Sequence, residues 1–178
     1  MPSAPSLSPL TDLRLVRAAT GEDASAVAGI YAHHVLTGTG TFEITPPDTA
    51  EMDRRMARVL GNGWPWLVAE RHGACVGFAY AAQYRDREAY ARTCEGSVYV
   101  AGDAQGQGIG RALLQALLPA ARAAGFLQMV AVIGDSGNLA SLALHRALGF
   151  QEAGRLRDVG EKFGRTLDVV LMQRTLGD

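Results

Sequence analysis

The sequence predicts an α/β fold: a single domain on a mixed, twisted sheet of about six or seven strands, with helices on both faces and a central β–α–β unit. Three observations predict it. Residues 97–101 have strand character, a glycine-rich turn covers 102–110, and a strongly helical run continues to Phe126. After that helix, Met129-Val130-Ala131-Val132-Ile133 is apolar at every position. Such a run suits a strand buried on both faces and reached in parallel through a right-handed helical crossover.

The other elements follow from local pattern. Residues 13–17, LRLVR, alternate weakly and form the expected first strand. Thr20 is an N-cap followed by acids, and Val27, Ile30, Tyr31, His34 and Val35 keep helical spacing after it. Residues 36–48, with glycines, threonines and Pro46-Pro47, read as a loop. Thr49 is the expected cap of a second helix, whose Met52, Met56, Val59 and Leu60 form an apolar stripe for the core. Residues 66–70 and 76–81 read as strands around a tight Arg-His-Gly-Ala turn.

A polar connection, 85–93, leads into the central strand, where Val98 and Val100 point one way and Ser97, Tyr99 and Ala101 the other. Pro119 lies inside the central helical run, where proline costs ~3 kcal/mol. It predicts either a kink or a second helix that starts with Pro119 as its first residue. Residues 134–137 form another turn, and the helix beginning at Ser136 or Asn138 ends at Gly149. Two last strands are expected near 151–156 and 166–173, and there are no internal repeats.

With 178 residues, 48% hydrophobic and 20% charged, the chain has the composition of one globular domain with a substantial core. A formal net charge of −1 argues against a nucleic-acid partner. No apolar run reaches the ~18 residues of a membrane span, so no membrane partner is expected. Residues 1–12, MPSAPSLSPLTD, have neither a basic start nor an apolar stretch, and read as a mobile leader ahead of a domain over 13–178. Two cysteines, Cys75 and Cys94, suit a reducing cytoplasm better than a disulfide scaffold, although sequence leaves a bridge open. His33, His34, His72 and His145 lack zinc-ligand spacing, and no metal is expected.

Strand, glycine turn, helix is the order in which a chain presents backbone N–H groups to phosphate. The first N–H groups of a helix have no intrahelical partner, and the helix dipole adds partial positive charge there. Gly106, Gly108 and Gly110 remove side chains that would hold a pyrophosphate away. Their spacing is neither that of the dinucleotide fingerprint nor that of the ATPase phosphate loop. The pattern Gln105-Gly106-Gln107-Gly108-Ile109-Gly110, Q-x-x-G-x-G, resembles the acetyl-CoA pyrophosphate loop of the GNAT superfamily of N-acetyltransferases.

The likeness extends along about residues 13–174, through IYAHHV, TGTFE, PWLVAE, YRDREAYARTCEGSVYV, VAVIGDSGN and SLALHRALGF. Over these segments the chain resembles the phosphinothricin and methionine sulfoximine acetyltransferases. That resemblance implies a GNAT-type domain transferring acetyl directly from acetyl-CoA to the amine of a small amino-acid-like substrate, with dimerisation common in the family. It gives Glu95 the role of general base, since a bound ammonium must lose a proton before it attacks. His145 stands where many GNAT enzymes have a tyrosine, and is either the acid that protonates the leaving thiolate or a polar wall.

By the same resemblance, backbone atoms of Val98, Tyr99 and Val100 pair with the pantetheine, and an N–H there holds the developing oxyanion. Gln105, Gly106, Gln107, Gly108, Ile109, Gly110 and Arg111 bind the pyrophosphate. Asn138 bonds the pantetheine arm, Ser141 lies near the same arm or the phosphates, and Phe42, Glu43, Arg85, Arg87 and Tyr90 bind the substrate. Were the 85–93 connection extended, Arg85 and Arg87 would emerge on one side as paired forks for a carboxylate. Gly96 and Gly134-Asp135-Ser136-Gly137 depart from the herbicide-resistance enzymes and leave the preferred amine open. Two other readings remain: a covalent route through Cys94 with His145 as base, and an acetyl-CoA-binding sensor without turnover.

Overall fold

The computed structural model describes residues 13–177; the expected leader, residues 1–12, lies outside them. Seven strands and four α-helices form among the described residues: β1 Leu13–Ala18, α1 Ala24–Thr37, α2 Thr49–Gly61, β2 Trp66–Arg71, β3 Ala74–Gln83, β4 Thr93–Val100, α3 Ile109–Ala123, β5 Gln128–Gly134, α4 Leu139–Ala147, β6 Gln151–Lys162 and β7 Arg165–Thr175. The strands make one sheet in the order β1-β2-β3-β4-β5-β7-β6. Only β4 and β5 run parallel, as the helical crossover through α3 requires; every other pair is antiparallel.

Two apolar clusters cover the two faces. On one, Leu113, Leu114, Leu117 and Ala121 of α3 pack over Ala79, Cys94, Met129 and Ala131. On the other, Val27, Ile30, Tyr31 and Val35 of α1 and Met52, Met56 and Val59 of α2 pack over Trp66, Val68 and Phe78. A partly buried ion pair flanks this second layer at the start of α1. Asp23 accepts two bonds of 2.8 Å from the Arg17 guanidinium, which also donates to Glu70.

Several local expectations are refined. Asp48, not Thr49, caps α2, because its carboxylate reaches the Glu51 N–H at 2.7 Å. Residues 109–123 form one unbroken helix through Pro119, so no second helix starts there. Pro119 and Gln115 are both exposed, and water can serve the Gln115 carbonyl that proline cannot bond. β5 is not buried on both faces. Met129, Ala131 and Ile133 are in the core, but Val132 is 37% exposed, because its alternating side chains face the α1/α2 side. Both cysteines are free.

The α1–α2 connection is pinned across the far end of the sheet. Thr39 Oγ1 donates to Asp135 Oδ2 at 2.8 Å, and the buried Lys162 ammonium donates to the Thr41 carbonyl at 2.8 Å. The Phe42 ring lies against Gly134 and Gly160, where added Cβ atoms would stand 2.9 and 2.2 Å from it.

Candidate active site

The parallel ladder between β4 and β5 has three rungs, Thr93↔Gln128, Cys94↔Met129 and Glu95↔Val130, and then the strands part. β4 continues alone on that side to Val100, while β5 stays paired to β7 as far as Gly134. Ala101 N–H donates to Val76 O at 2.9 Å, which sets the alternation of the β3–β4 ladder. Ser97 and Tyr99 therefore turn their backbone groups to β3, and Val98 and Val100 turn theirs to the open gap. Of the three strand residues expected to pair with a bound ligand, the backbone of Tyr99 is already engaged. The Val100 carbonyl also meets His34 Nε2 at 2.8 Å.

At the end of β4 the glycine turn bends into α3. Gly106 and Gly108 have φ of +72° and +82°, the left-handed region that side-chain-bearing residues avoid. A Cβ on Gly106 would meet no atom within 4 Å, so this face of the loop is open. The first helical bond runs from Ala112 N–H to Gly108 O at 3.0 Å, leaving the N–H groups of Ile109, Gly110 and Arg111 ahead of the intrahelical ladder. Gln107 braces the loop: Arg71 donates to its Oε1, and its Nε2 donates to Asp103 O at 3.0 Å. Gln105 Nε2 reaches Val100 O at 3.5 Å, and Arg111 is exposed on the first turn. An unpaired strand edge running into an open helix N-terminus fits a ligand with amide groups at one end and a pyrophosphate at the other.

Across the gap stands α4. Asn138 caps it, its Oδ1 accepting from Ser141 N–H at 3.2 Å. His145 Nδ1 lies 2.8 Å from the Ser141 carbonyl and 3.4 Å from Ser141 Oγ. A carbonyl only accepts, so Nδ1 carries the proton, and in the neutral ring Nε2 is bare. Burial lowers the His145 pKa, with the Ser141 bond opposing, so the neutral ring is favoured.

On the α1/α2 face, a cavity of about 820 Å³ opens beside Glu95. Burial raises the Glu95 pKa, and the nearby Arg85 charge opposes that rise. Glu43 and Arg85 also line the cavity, but Arg87, Tyr90 and Phe42 do not. The connection before β4 is not extended: Arg87 N–H donates to Arg85 O at 2.8 Å in a three-residue turn, and this separates the two arginines. Tyr90 packs edge-on against Tyr84, and Phe42 is held over the glycines of β5 and β6.

Glu43 is engaged within the protein. It accepts from Arg55 at 2.7 and 3.3 Å and from the Tyr31 hydroxyl at 2.9 Å. The remaining walls are aromatic, with Trp66 stacked on Tyr80 at 4.3 Å between ring centres. Sequence reasoning missed the face that α2 turns to the cavity. Glu51, Arg55, Arg58 and Asn62 recur at helical spacing beside the methionine stripe, a signal obscured by the ordinary look of a solvated helix face. Cys94 lies on the opposite face, fully buried in the α3 layer, and burial pushes its thiol up to about 12. That environment is the reverse of one that activates a nucleophile.

Comparison with known proteins agrees with this geometry. Residues 16–171 match the family model of the acetyltransferase (GNAT) domain. A phosphinothricin N-acetyltransferase of Alcaligenes faecalis is 55% identical over 161 residues, 90% of this chain and 82% of that protein. An L-methionine sulfoximine/L-methionine sulfone acetyltransferase of Pseudomonas aeruginosa is 41% identical, over 90% of this chain and 94% of its own length. The crystal structure of a GNAT superfamily phosphinothricin acetyltransferase from Sinorhizobium meliloti, in complex with AcCoA, superposes with a TM-score of 0.88 at 45% identity. That match covers 92% of this chain and 88% of the other. Parted central strands, an open glycine turn and a matching domain model lead to one conclusion: the chain belongs to the GNAT acetyltransferase family and is an acetyl-CoA-dependent N-acetyltransferase.

Proposed function

We propose that the chain acetylates the amine of a small amino-acid-like compound of the phosphinothricin, methionine sulfoximine or methionine sulfone type, by direct transfer. The observation that carries this is Glu95, which stands at the last rung before β4 and β5 part and lines the aromatic cavity beside Arg85. An acetyl donor in the gap and an amine in the cavity would thus meet at one carboxylate. Acetyl-CoA supplies the activated acyl group. Its amide-bearing arm fits the gap-facing backbone groups of Val98 and the Val100 N–H together with Asn138 and Ser141, and its pyrophosphate fits the N–H groups from Gly106 to Arg111.

Glu95 takes the proton of the bound ammonium, and Arg85 holds the substrate carboxylate near it. Glu43 shapes the cavity through Arg55 and Tyr31. Phe42, Arg87 and Tyr90 contribute from outside the wall, by holding the loops that frame it. His145 acts as a polar wall: the neutral ring, with its Nδ1 proton given to a carbonyl, has none on Nε2 to donate.

The domain begins at about residue 13, and the chain works in the cytoplasm as a homodimer. Two free cysteines support the compartment. Exposed Leu156, Val159 and Phe163 on the outer hairpin, with Leu36 and Ile44 nearby, support the dimer. Among the described residues no helix is long and apolar enough to cross a membrane, and no group of metal-ligating side chains is found.

The test is release of the CoA thiol from acetyl-CoA with a panel of amino acids, their sulfone, sulfoximine and phosphinate analogues, and amines lacking a carboxylate. Turnover confined to the carboxylate-bearing amines is expected. Equal turnover of simple amines would overturn the substrate class.

A further inference from the structure

The wall that α2 gives to the cavity carries a charge that the protein leaves unanswered. Glu51, Arg55, Arg58 and Asn62 follow at i, i+4, i+7 and i+11, so they share one helix face, and all four line the cavity. Arg55 is bound on both sides, to Glu43 at 2.7 Å and to Glu51 at 2.9 Å. Arg54 takes the other Glu51 oxygen at 2.8 Å. These contacts close a set of two carboxylates and two guanidiniums among themselves. The side chain of Arg58, one turn further along, has no ion pair or hydrogen bond among the described residues, while its backbone carbonyl accepts from Asn62 Nδ2 at 2.7 Å.

The cavity thus has two guanidiniums without a hydrogen-bonded carboxylate, on different elements. Arg85 follows β3 and acts on Glu95, so it belongs to the end where the amine reacts. Arg58 is on α2 with the indole of Trp64 also in the wall. A guanidinium fork is matched by a carboxylate or a phosphinate and poorly by an uncharged group. We infer that Arg58 recognises the distal anionic group of the substrate, and so selects amino acids ending in a phosphinate or carboxylate over neutral isosteres. This inference rests on the proposed substrate class and adds to it which end group is preferred and which side chain decides.

The experiment compares phosphinothricin, whose far end is charged, with methionine sulfone, whose far end is neutral. Steady-state kinetics are measured for the wild type, Arg58→Ala, Arg58→Lys and Arg54→Ala. The last removes the same charge from the same helix, but outside the cavity. Arg58→Ala is expected to raise KM for phosphinothricin about tenfold or more, as for loss of a charge-assisted contact. It should leave methionine sulfone within about twofold, and Arg58→Lys should recover part of the loss. Equal effects on both substrates, or an equal effect of Arg54→Ala, would overturn the inference and leave the proposed function standing. So would a wild type that acetylates the sulfone but not phosphinothricin. A wild type that acetylates neither compound overturns the substrate class and the inference with it.

Discussion

Glu95 and Val130 face each other across the last rung of the parallel ladder between β4 and β5. One residue further on, the strands have parted, so the carboxylate at this rung adjoins both the gap and the cavity. Its burial raises its pKa, so the acid limb of the pH profile of kcat/KM should lie above the ordinary carboxylate range. Arg85 opposes the rise, and Arg85→Ala should move the limb further up. Glu95→Gln is expected to lower turnover by ~10²-fold or more at neutral pH, with partial recovery at alkaline pH where the free amine is populated. A mutant with wild-type turnover at every pH would remove Glu95 from the mechanism.

Gly108 caps α3 at a φ of +82°. Gly108→Val forces a β-branched residue into the left-handed region at roughly 1–2 kcal/mol and crowds the N–H groups ahead of the helix. Calorimetry should show CoA binding weakened by tenfold or more in a protein that still unfolds cooperatively. Undiminished affinity would mean that the turn does not hold the pyrophosphate.

The Phe42 ring leaves no room at Gly160, where a Cβ would stand 2.2 Å from it. Gly160→Ala must move the ring, which is also held by Gly134, at a cost of about 1–3 kcal/mol for overpacking. The α1–α2 connection carries Glu43 to the cavity, so the same change should raise KM for the amine more than it changes affinity for CoA. Chemical denaturation and paired titrations check the two effects.

Stability on the acid side should follow the buried titrating groups. His34 and His145 have pKa values lowered by burial, so unfolding takes up protons below the unfolded histidine value of ~6.5, and stability falls as pH drops through it. Asp23 is lowered chiefly by its bonds from Arg17, and its contribution disappears only as pH falls through its low folded pKa. Glu95 acts in the opposite direction: its raised folded pKa favours the folded state below the unfolded value and loses that contribution as pH rises through the folded one. Urea unfolding from pH 5 to 8 should show a shallower pH slope in His145→Asn than in the wild type. An unchanged slope would contradict a buried neutral imidazole.

His145 is the site residue whose role depends most on a single contact. With Nδ1–H given to the Ser141 carbonyl at 2.8 Å, His145→Gln should keep turnover within about tenfold of wild type. A loss of ~10³-fold without loss of CoA affinity would instead assign it proton transfer to the leaving thiolate.

By itself the sequence determined the family and the core unit. Val98 and Val100, the glycines from Gly106 to Gly110 and the helical run after them carry periodicity and conformational preference within a few residues, and such local signals need no tertiary information. The apolar run 129–133 likewise announced the parallel partner, though not that Val132 faces an uncovered side. What only the tertiary structure decided is which side chains meet. Arg85 and Arg87 looked equivalent until a three-residue turn sent one to the cavity and left the other outside. Arg55 and Arg58 looked like solvated helix charge until α2 packed over β2 and β3 and set both along the rim of the cavity. Tyr99 looked like part of the open edge until the Ala101–Val76 bond set the ladder's alternation and gave its backbone to β3. Local pattern specifies the element, but the direction a side chain faces depends on register and packing between segments far apart in the chain, which no window of sequence contains.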